Sequence, residues 1–165
     1  MELETVKHDI ENWIVNFVEV PHPALGNFPP CPYARQARIN NKIEIVHSTH
    51  DLLLITINKC LSLLDEKDVV VIWFDHEQIA PNLLSELIDD YNKNFLMPRN
   101  YVVLEDHPDS PEVLNGVTMN FGQCGLLLLS KLDVLNNASN QLRSKGYYDH
   151  WPEENLDYVV NWRFK

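Results

Sequence analysis

Hydrophobic positions near the start of the chain recur every three or four residues. Between residues 3 and 18 they are Leu3, Val6, Ile10, Trp13, Ile14, Phe17 and Val18. This spacing aligns apolar side chains along one side of a helix. It predicts an amphipathic helix over residues 3–18 with one buried face.

A proline-dense segment then interrupts the pattern. Residues 19–30 contain four prolines and Gly26, which cannot continue a helix or pair inside a sheet. The apolar Leu25 and Phe28 within it favour an ordered loop that packs against the rest of the chain. Pro32 suits the first position of a helix, which predicts Cys31 as the N-cap of a short helix ending near residue 40.

Strand-like and helix-like patterns alternate after this loop. Strands are predicted at residues 42–46, 69–74, 101–105 and 125–130, and helices at 52–66, from Pro81 to Tyr91, and at 133–144. The unbroken apolar run at 69–74 is typical of a central strand covered on both faces. Ser48 and Asp51 resemble a capping box, Gly146 ends the last helix, and residues 106–123 are expected to form a long loop.

The order βαβαββα predicts an α/β fold: a single domain over residues 1–165, with a mixed four-stranded sheet and helices on both faces. This order is shared by thioredoxin-like folds, and a ferredoxin-like α+β sandwich is the alternative. The aromatic tail at residues 147–165 contains Trp151 and Trp162. So much apolar surface is expected to pack on the domain or on a partner.

Charge narrows the range of partners. The chain has 24 acidic and 13 basic residues and a net charge of −11, which disfavours binding to nucleic acid or to an anionic membrane surface. Arg35, Arg38 and Lys42 form a small basic cluster that suits a small anionic ligand.

No signal-like start or membrane-length apolar run is present, so a cytoplasmic protein is expected. Three cysteines without CxxC spacing indicate neither a disulfide framework nor a zinc site.

The strongest candidate for chemistry is Cys31. A helix N-terminus and the nearby Arg35 would both favour its thiolate, although a cysteine that merely ends a loop is the simpler interpretation. His107 and Asp109 follow a strand, where the side chains of α/β domains gather into sites, but they also fit a turn. The candidate catalytic residues are Cys31, His107 and Asp109, and the candidate substrate-binding residues are Tyr33, Arg35 and Arg38.

Two histidines suggest a different chemistry. His47 and His50 lie three residues apart at a strand-to-helix turn, from which both side chains could face one metal ion. Ordinary helix caps and solvent-facing side chains explain these two histidines nearly as well as a metal site does. His76, with Asp75 beside it, is a further strand-end candidate, whereas Cys60 and Cys124 are expected to be core or loop residues.

The motif Cys31-Pro32-Tyr33-Ala34, which follows a tryptophan-bearing helix and precedes a strand, resembles a family of uncharacterised bacterial proteins with Cys-Pro-Phe-Ala at this place. That family has a later strand leading into His-Pro-Asp, which residues 102–109 match through His107-Pro108-Asp109. The similarity spans most of residues 3–142, although residues 21–30 are an insertion and the second half is shorter. It implies candidate site positions but no activity.

Cys31-Pro32-Tyr33 is also locally similar to the glutaredoxin active site. Ala34 replaces the second cysteine of that motif, which excludes dithiol exchange by this pair. Cysteine followed by proline also occurs where a thiolate binds haem iron.

Three functional hypotheses follow. The first is a small cytoplasmic enzyme in which a Cys31 thiolate acts on a small anionic substrate, with the arginines holding it and His107 as acid or base. The second is a transition-metal or haem site formed by Cys31 with His47, His50 or His107. The third is a non-catalytic, acidic module that binds another protein. The cofactor and the oligomeric state are left open, and the surroundings of the Cys31 sulfur should separate the three.

Overall fold

A computed structural model describes residues 2–165. These residues form two compact units. The sheet unit comprises residues 41–111 and 120–134, and the terminal unit comprises residues 2–40, 112–119 and 135–165. The expectation of one domain over residues 1–165 stays a prediction.

Strands and helices are mixed along the chain, and the α/β class is confirmed. The strands are β1 (Ile43–His47), β2 (Val69–Phe74), β3 (Tyr101–Asp106), β4 (Val113–Leu114), β5 (Val117–Thr118) and β6 (Gly125–Lys131). The α-helices are α1 (Leu3–Trp13), α2 (Ala34–Ile39), α3 (Leu53–Cys60), α4 (Pro81–Tyr91), α5 (Leu132–Ser144) and α6 (Glu153–Val159). No helix in residues 2–165 is long and apolar enough to cross a membrane.

The sheet unit contains the predicted mixed four-stranded sheet. Its strand order is β1-β2-β6-β3, with β1 parallel to β2 and with β6 antiparallel to both of its neighbours. Strand β2 is therefore central, as predicted, and its residues are buried on both faces of the sheet. One face of the sheet packs against α3 and α4 in a core that includes Ile57, Ile72, Phe74, Leu84 and Leu129.

Both ends of α4 follow from the sequence. Pro81 occupies the first turn, where its missing N–H would have no partner, and Leu84 and Ile88 lie on the buried face. The helix continues as a π-helical turn over Asn92–Leu96 and a 3-10 turn over Met97–Arg99. Asn100 then adopts a left-handed conformation (φ 69°), which asparagine tolerates better than most residues, and the chain enters β3.

The terminal unit has its own apolar cluster, formed by residues near the C-terminus. Leu142, Tyr147, Tyr148 and Val160 are buried in it, and Phe28, Trp151, Leu156 and Val159 pack against them. Several residues of the segment 147–165 are therefore buried within this unit, while its packing on a single domain stays a prediction. Helix α1 and its π-helical continuation over Ile14–Val18 match the predicted helix at residues 3–18.

The sheet unit and the loop that follows it differ from the sequence prediction in three places, at residues 52–66, at Ser48 and at residues 106–123. The predicted helix at 52–66 is α3 followed by a 3-10 helix over Leu61–Asp65. The capping box is wrong, because the Ser48 hydroxyl hydrogen-bonds to the Thr56 hydroxyl (2.8 Å) and to the carbonyl of Thr49. The loop at 106–123 contains the short hairpin of β4 and β5, whose turn is Asn115-Gly116 with both residues at positive φ.

Candidate functional site

Cys31 lies in a loop of the terminal unit. The peptide group between Pro30 and Cys31 is hydrogen-bonded through both its N–H and its carbonyl. The N–H of Cys31 donates to the carbonyl of Val18 at 2.9 Å. The carbonyl of Pro30, which belongs to the same peptide group, accepts from the Tyr147 hydroxyl at 2.5 Å. Because both polar atoms of this peptide group are bonded, the backbone at Cys31 is fixed.

The helix after Cys31 begins later than predicted. Tyr33, not Cys31, is the N-cap of α2, and residues 32 and 33 form a turn closed by the bond from the Ala34 N–H to the Cys31 carbonyl (3.1 Å). The N–H groups of Tyr33 and Ala34 also lie near the Cys31 sulfur and lower the pKa of its thiol. The thiol therefore faces the start of α2, although Cys31 does not cap it.

The pKa of the Cys31 thiol opposes the predicted resting thiolate. Burial of the sulfur raises the pKa of the thiol, and this outweighs the opposing effect of the two N–H groups. Arg35 is not among the causes of this pKa shift. The residue as a whole is exposed, whereas the pKa reflects the desolvated surroundings of the sulfur atom itself. At neutral pH the thiol is protonated.

Aromatic side chains surround this part of the terminal unit. The Tyr147 ring packs edge-on against Phe28 (5.3 Å between centroids) and Tyr148 (4.9 Å), and both tyrosines contact Trp151. Burial raises the pKa of Tyr147 and of Tyr148, and a charge on Cys31 would raise both further. The indole nitrogen of Trp151 is buried without a hydrogen-bond partner.

The three predicted substrate-binding residues differ in their surroundings. Arg38 donates two hydrogen bonds to the carboxylate of Glu19, from Nε at 2.9 Å and from Nη2 at 2.7 Å. Hydrogen bonding to Arg38 is the largest cause of the lowered pKa of Glu19. The Tyr33 hydroxyl donates to the side chain of Gln141 at 3.1 Å. Arg35 is exposed and forms no ion pair with the residues that the structure describes. Arg38 is therefore already paired, whereas Arg35 has no direct ion pair, although its charge also lowers the pKa of Glu19.

His107 lies in the sheet unit, just after β3, and is buried with 4% of its surface exposed. Its Nδ1 accepts from the backbone N–H of Asp109 at 3.1 Å, so the proton of the neutral ring is on Nε2, which donates to the carbonyl of Ile79 at 2.7 Å. Neither ring nitrogen is free, which opposes the predicted acid–base role. Asp109 is exposed and contributes its backbone to this arrangement.

Other ionisable groups lie at the same end of the sheet unit, and among them only His76 is a site candidate on sequence grounds. The His76 ring packs edge-on against His107 at 5.6 Å, and its Nδ1 is buried without a partner. Burial raises the pKa of Glu105 and of Asp106, and that of Cys124 to about 12. Acidic residues ending an apolar strand are the only sequence signal for Glu105 and Asp106.

The predicted metal ligands lie at the end of β1 and just beyond it. The His47 ring packs at a tilt against Trp73, its partner across the parallel strands, with 4.1 Å between the ring centroids, and burial lowers the pKa of His47. His50 begins a 3-10 turn and is exposed. In residues 2–165 no group of three or more histidine, cysteine, aspartate or glutamate residues could hold a metal ion. The predicted metal site at His47 and His50 therefore has no supporting cluster among these residues.

Cys31 belongs to the terminal unit and His107 to the sheet unit, so a site shared by the two residues stays a prediction. Comparisons with protein-family models, with curated proteins and with solved structures found no match for this chain, and the resemblance drawn from the Cys-Pro-Tyr-Ala and His-Pro-Asp motifs rests on those residues alone.

Proposed function

We propose that the protein is a thiol-dependent enzyme in which Cys31 attacks a small anionic substrate. The observation that carries this proposal is the placement of the Cys31 sulfur against the N–H groups of Tyr33 and Ala34, in a residue that is exposed. Cys60 and Cys124 are both buried and lack this arrangement.

The raised pKa of Cys31 determines how such an enzyme would work. The resting thiol is neutral, so the proton leaves during attack rather than before it. Sulfur would form a bond to an electrophilic carbon, and the bond from that carbon to the leaving group would break. The displaced group would carry away the bonding electrons and the thiol proton. The two N–H groups would stabilise the negative charge that develops on sulfur.

The charge of the substrate follows from the arginines of α2. Arg38 is neutralised by Glu19, whereas Arg35 is exposed and unpaired by any described carboxylate. Arg35 is the second residue of α2 and lies four residues after Cys31 in the chain. An anionic group bound there would be held near the start of α2, and a substrate long enough to reach the sulfur could place its electrophile against Cys31.

Acetyl phosphate is a suitable probe because it is small, anionic and able to transfer its acetyl group to a thiol. Intact-protein mass spectrometry should show one acetyl group on the wild type, and peptide mapping should place it on Cys31. The Cys31→Ser variant should lose this thioester, while Cys60→Ser and Cys124→Ser should retain it. Equal labelling of Cys31→Ser, or no labelling of the wild type, would overturn the proposal.

A matched pair of variants tests the role of charge. Arg35→Gln should slow acetylation by acetyl phosphate and leave acetylation by the neutral p-nitrophenyl acetate unchanged, because only the former carries a negative charge. Arg38→Gln is the control, since its guanidinium already pairs with Glu19. If both variants slow both reagents equally, the effect is structural and the anionic substrate is wrong.

The second candidate is a non-catalytic, acidic interaction module. The neutral resting thiol of Cys31 and the net charge of −11 favour it over an enzyme that needs a standing thiolate. It predicts an unreactive Cys31 and binding to a basic protein partner that weakens with added salt.

A further inference from the structure

Helix α4 and strand β3 of the sheet unit are joined by three side-chain contacts of different kinds. At one end, the Asn92 side chain donates to the carbonyl of Val103 and accepts from its N–H, both at 2.9 Å. At the other end, His107 donates to the carbonyl of Ile79, just before the helix. Neither of these two contacts involves a carboxyl group.

The middle contact is different because it includes a carboxyl group. The Ser85 hydroxyl of α4 donates to Oε1 of Glu105 on β3 at 2.6 Å. The second oxygen of that carboxyl group, Oε2, is buried and has no hydrogen-bond partner. A buried carboxylate with one unbonded oxygen is costly when charged and much less costly when protonated.

The groups that face Glu105 also affect the balance between its charged and protonated forms. On α4, Asp89 lies one turn after Ser85 and its negative charge acts on Glu105, while Leu127, opposite Glu105 on β6, is apolar. Beyond β3, His107 opposes the effect of Asp89 when positively charged. Burial is the largest cause of the raised pKa of Glu105, the Asp89 charge raises it further, and the Ser85 hydrogen bond lowers it.

We propose that the contact between α4 and β3 is a pH-sensitive device in which proton uptake by Glu105 tightens the helix against the strand, and proton loss loosens it. The Asn92 contact stays closed in both states, so the part of α4 around Ser85 is the part that opens.

The direction of the pH effect on stability follows from the direction of the pKa shift of Glu105. The pKa of Glu105 in the folded protein lies above its ordinary value of 4.5. Its contribution to stability is therefore complete below that ordinary value and is lost as the pH rises through the raised value. Lowering the pH should therefore favour the closed contact, and raising it should favour opening.

Hydrogen–deuterium exchange of the full-length protein tests the device between about pH 7.5 and about pH 5, with exchange rates corrected for intrinsic pH dependence. The protection of amides around Ser85 should increase by about three- to tenfold on acidification, while amides around Asn92 change little. Glu105→Gln, which stays neutral, should flatten the response. Glu86→Gln removes an exposed charge from the same helix and should keep the wild-type response.

Ser85→Ala provides a second variant with a different signature. It removes the hydrogen bond that lowers the pKa of Glu105, so the acid-induced tightening should begin at a higher pH. A wild-type response that is absent, or that Glu86→Gln flattens as much as Glu105→Gln, would overturn the proposal. A full response in Glu105→Gln would overturn it too, because the titrating group would then be another one, such as His107.

Discussion

The hydroxyl of Tyr147 donates a hydrogen bond to the carbonyl of Pro30, 117 residues earlier in the chain. This carbonyl belongs to the peptide group whose N–H is that of Cys31, and that N–H is bonded to Val18. The residue that fixes the cysteine loop therefore comes from the aromatic tail of the chain.

Replacing Tyr147 by Phe should destabilise the terminal unit, because the ring stays but the Pro30 carbonyl loses its partner. We expect a loss of about 1 kcal/mol in the free energy of unfolding and a melting temperature lower by about 2–4 °C. Calorimetry measures both. Tyr33→Phe is the control, because its hydroxyl bonds to Gln141 at an exposed position and should matter less. Equal melting of the Tyr147→Phe variant and the wild type would show that this bond does not stabilise the loop.

Alkylation of Cys31 should accelerate as the pH rises, with a midpoint above that of a short cysteine-containing peptide. The reason is that burial holds the pKa of the Cys31 thiol above its ordinary value of 9.0, and the thiolate is the reactive form. Site-resolved mass spectrometry with iodoacetamide measures the rate at each cysteine.

The same experiment includes its own internal controls. Cys60 and Cys124 are buried, and the pKa of Cys124 is about 12, so both should react more slowly than Cys31 at every pH. A midpoint for Cys31 below that of the peptide would mean that the N–H groups of Tyr33 and Ala34 outweigh burial, and would restore the thiolate expected from the sequence.

Periodicity predicts the elements of this protein well, because local spacing determines which face is apolar. The helix at residues 3–18, the central strand at 69–74 and the helix opened by Pro81 follow from neighbouring side chains alone. The hairpin turn at Asn115-Gly116 was missed because its strands have only two residues each, too few to show alternation.

The chemistry of the candidate site is harder to predict because it depends on distant residues. A helix start and a nearby arginine favour a thiolate at Cys31, but the burial that reverses this effect depends on the tertiary fold, as the long-range bond from Tyr147 to the adjoining Pro30 illustrates. The pairing of Arg38 with Glu19 joins two elements separated by the proline-rich loop, and no local pattern indicates it.

Removal of residues 147–165 should destabilise the protein. Tyr147, Tyr148 and Val160 are almost fully buried, and each such side chain contributes roughly 1.5–3 kcal/mol. The truncated protein should melt at a lower temperature and expose apolar surface, measured as increased binding of a hydrophobic dye. Removing only residues 164 and 165, which are exposed, is the control and should have little effect. An unchanged melting temperature after the full truncation would show that the tail does not stabilise the terminal unit.

Replacing Asn92 by Ala should be one of the most destabilising polar substitutions in the sheet unit. The Asn92 side chain bonds to both the N–H and the carbonyl of the buried Val103, so its loss leaves two buried backbone groups of β3 without partners. We expect a loss of about 2–4 kcal/mol, measured by urea unfolding. Asn94→Ala is the matched control, because that side chain is exposed and bonds only to Asp90. If the two variants unfold at the same urea concentration, the contact between Asn92 and Val103 does not anchor α4 to β3, and the pH-sensitive contact at Glu105 would lack its fixed end.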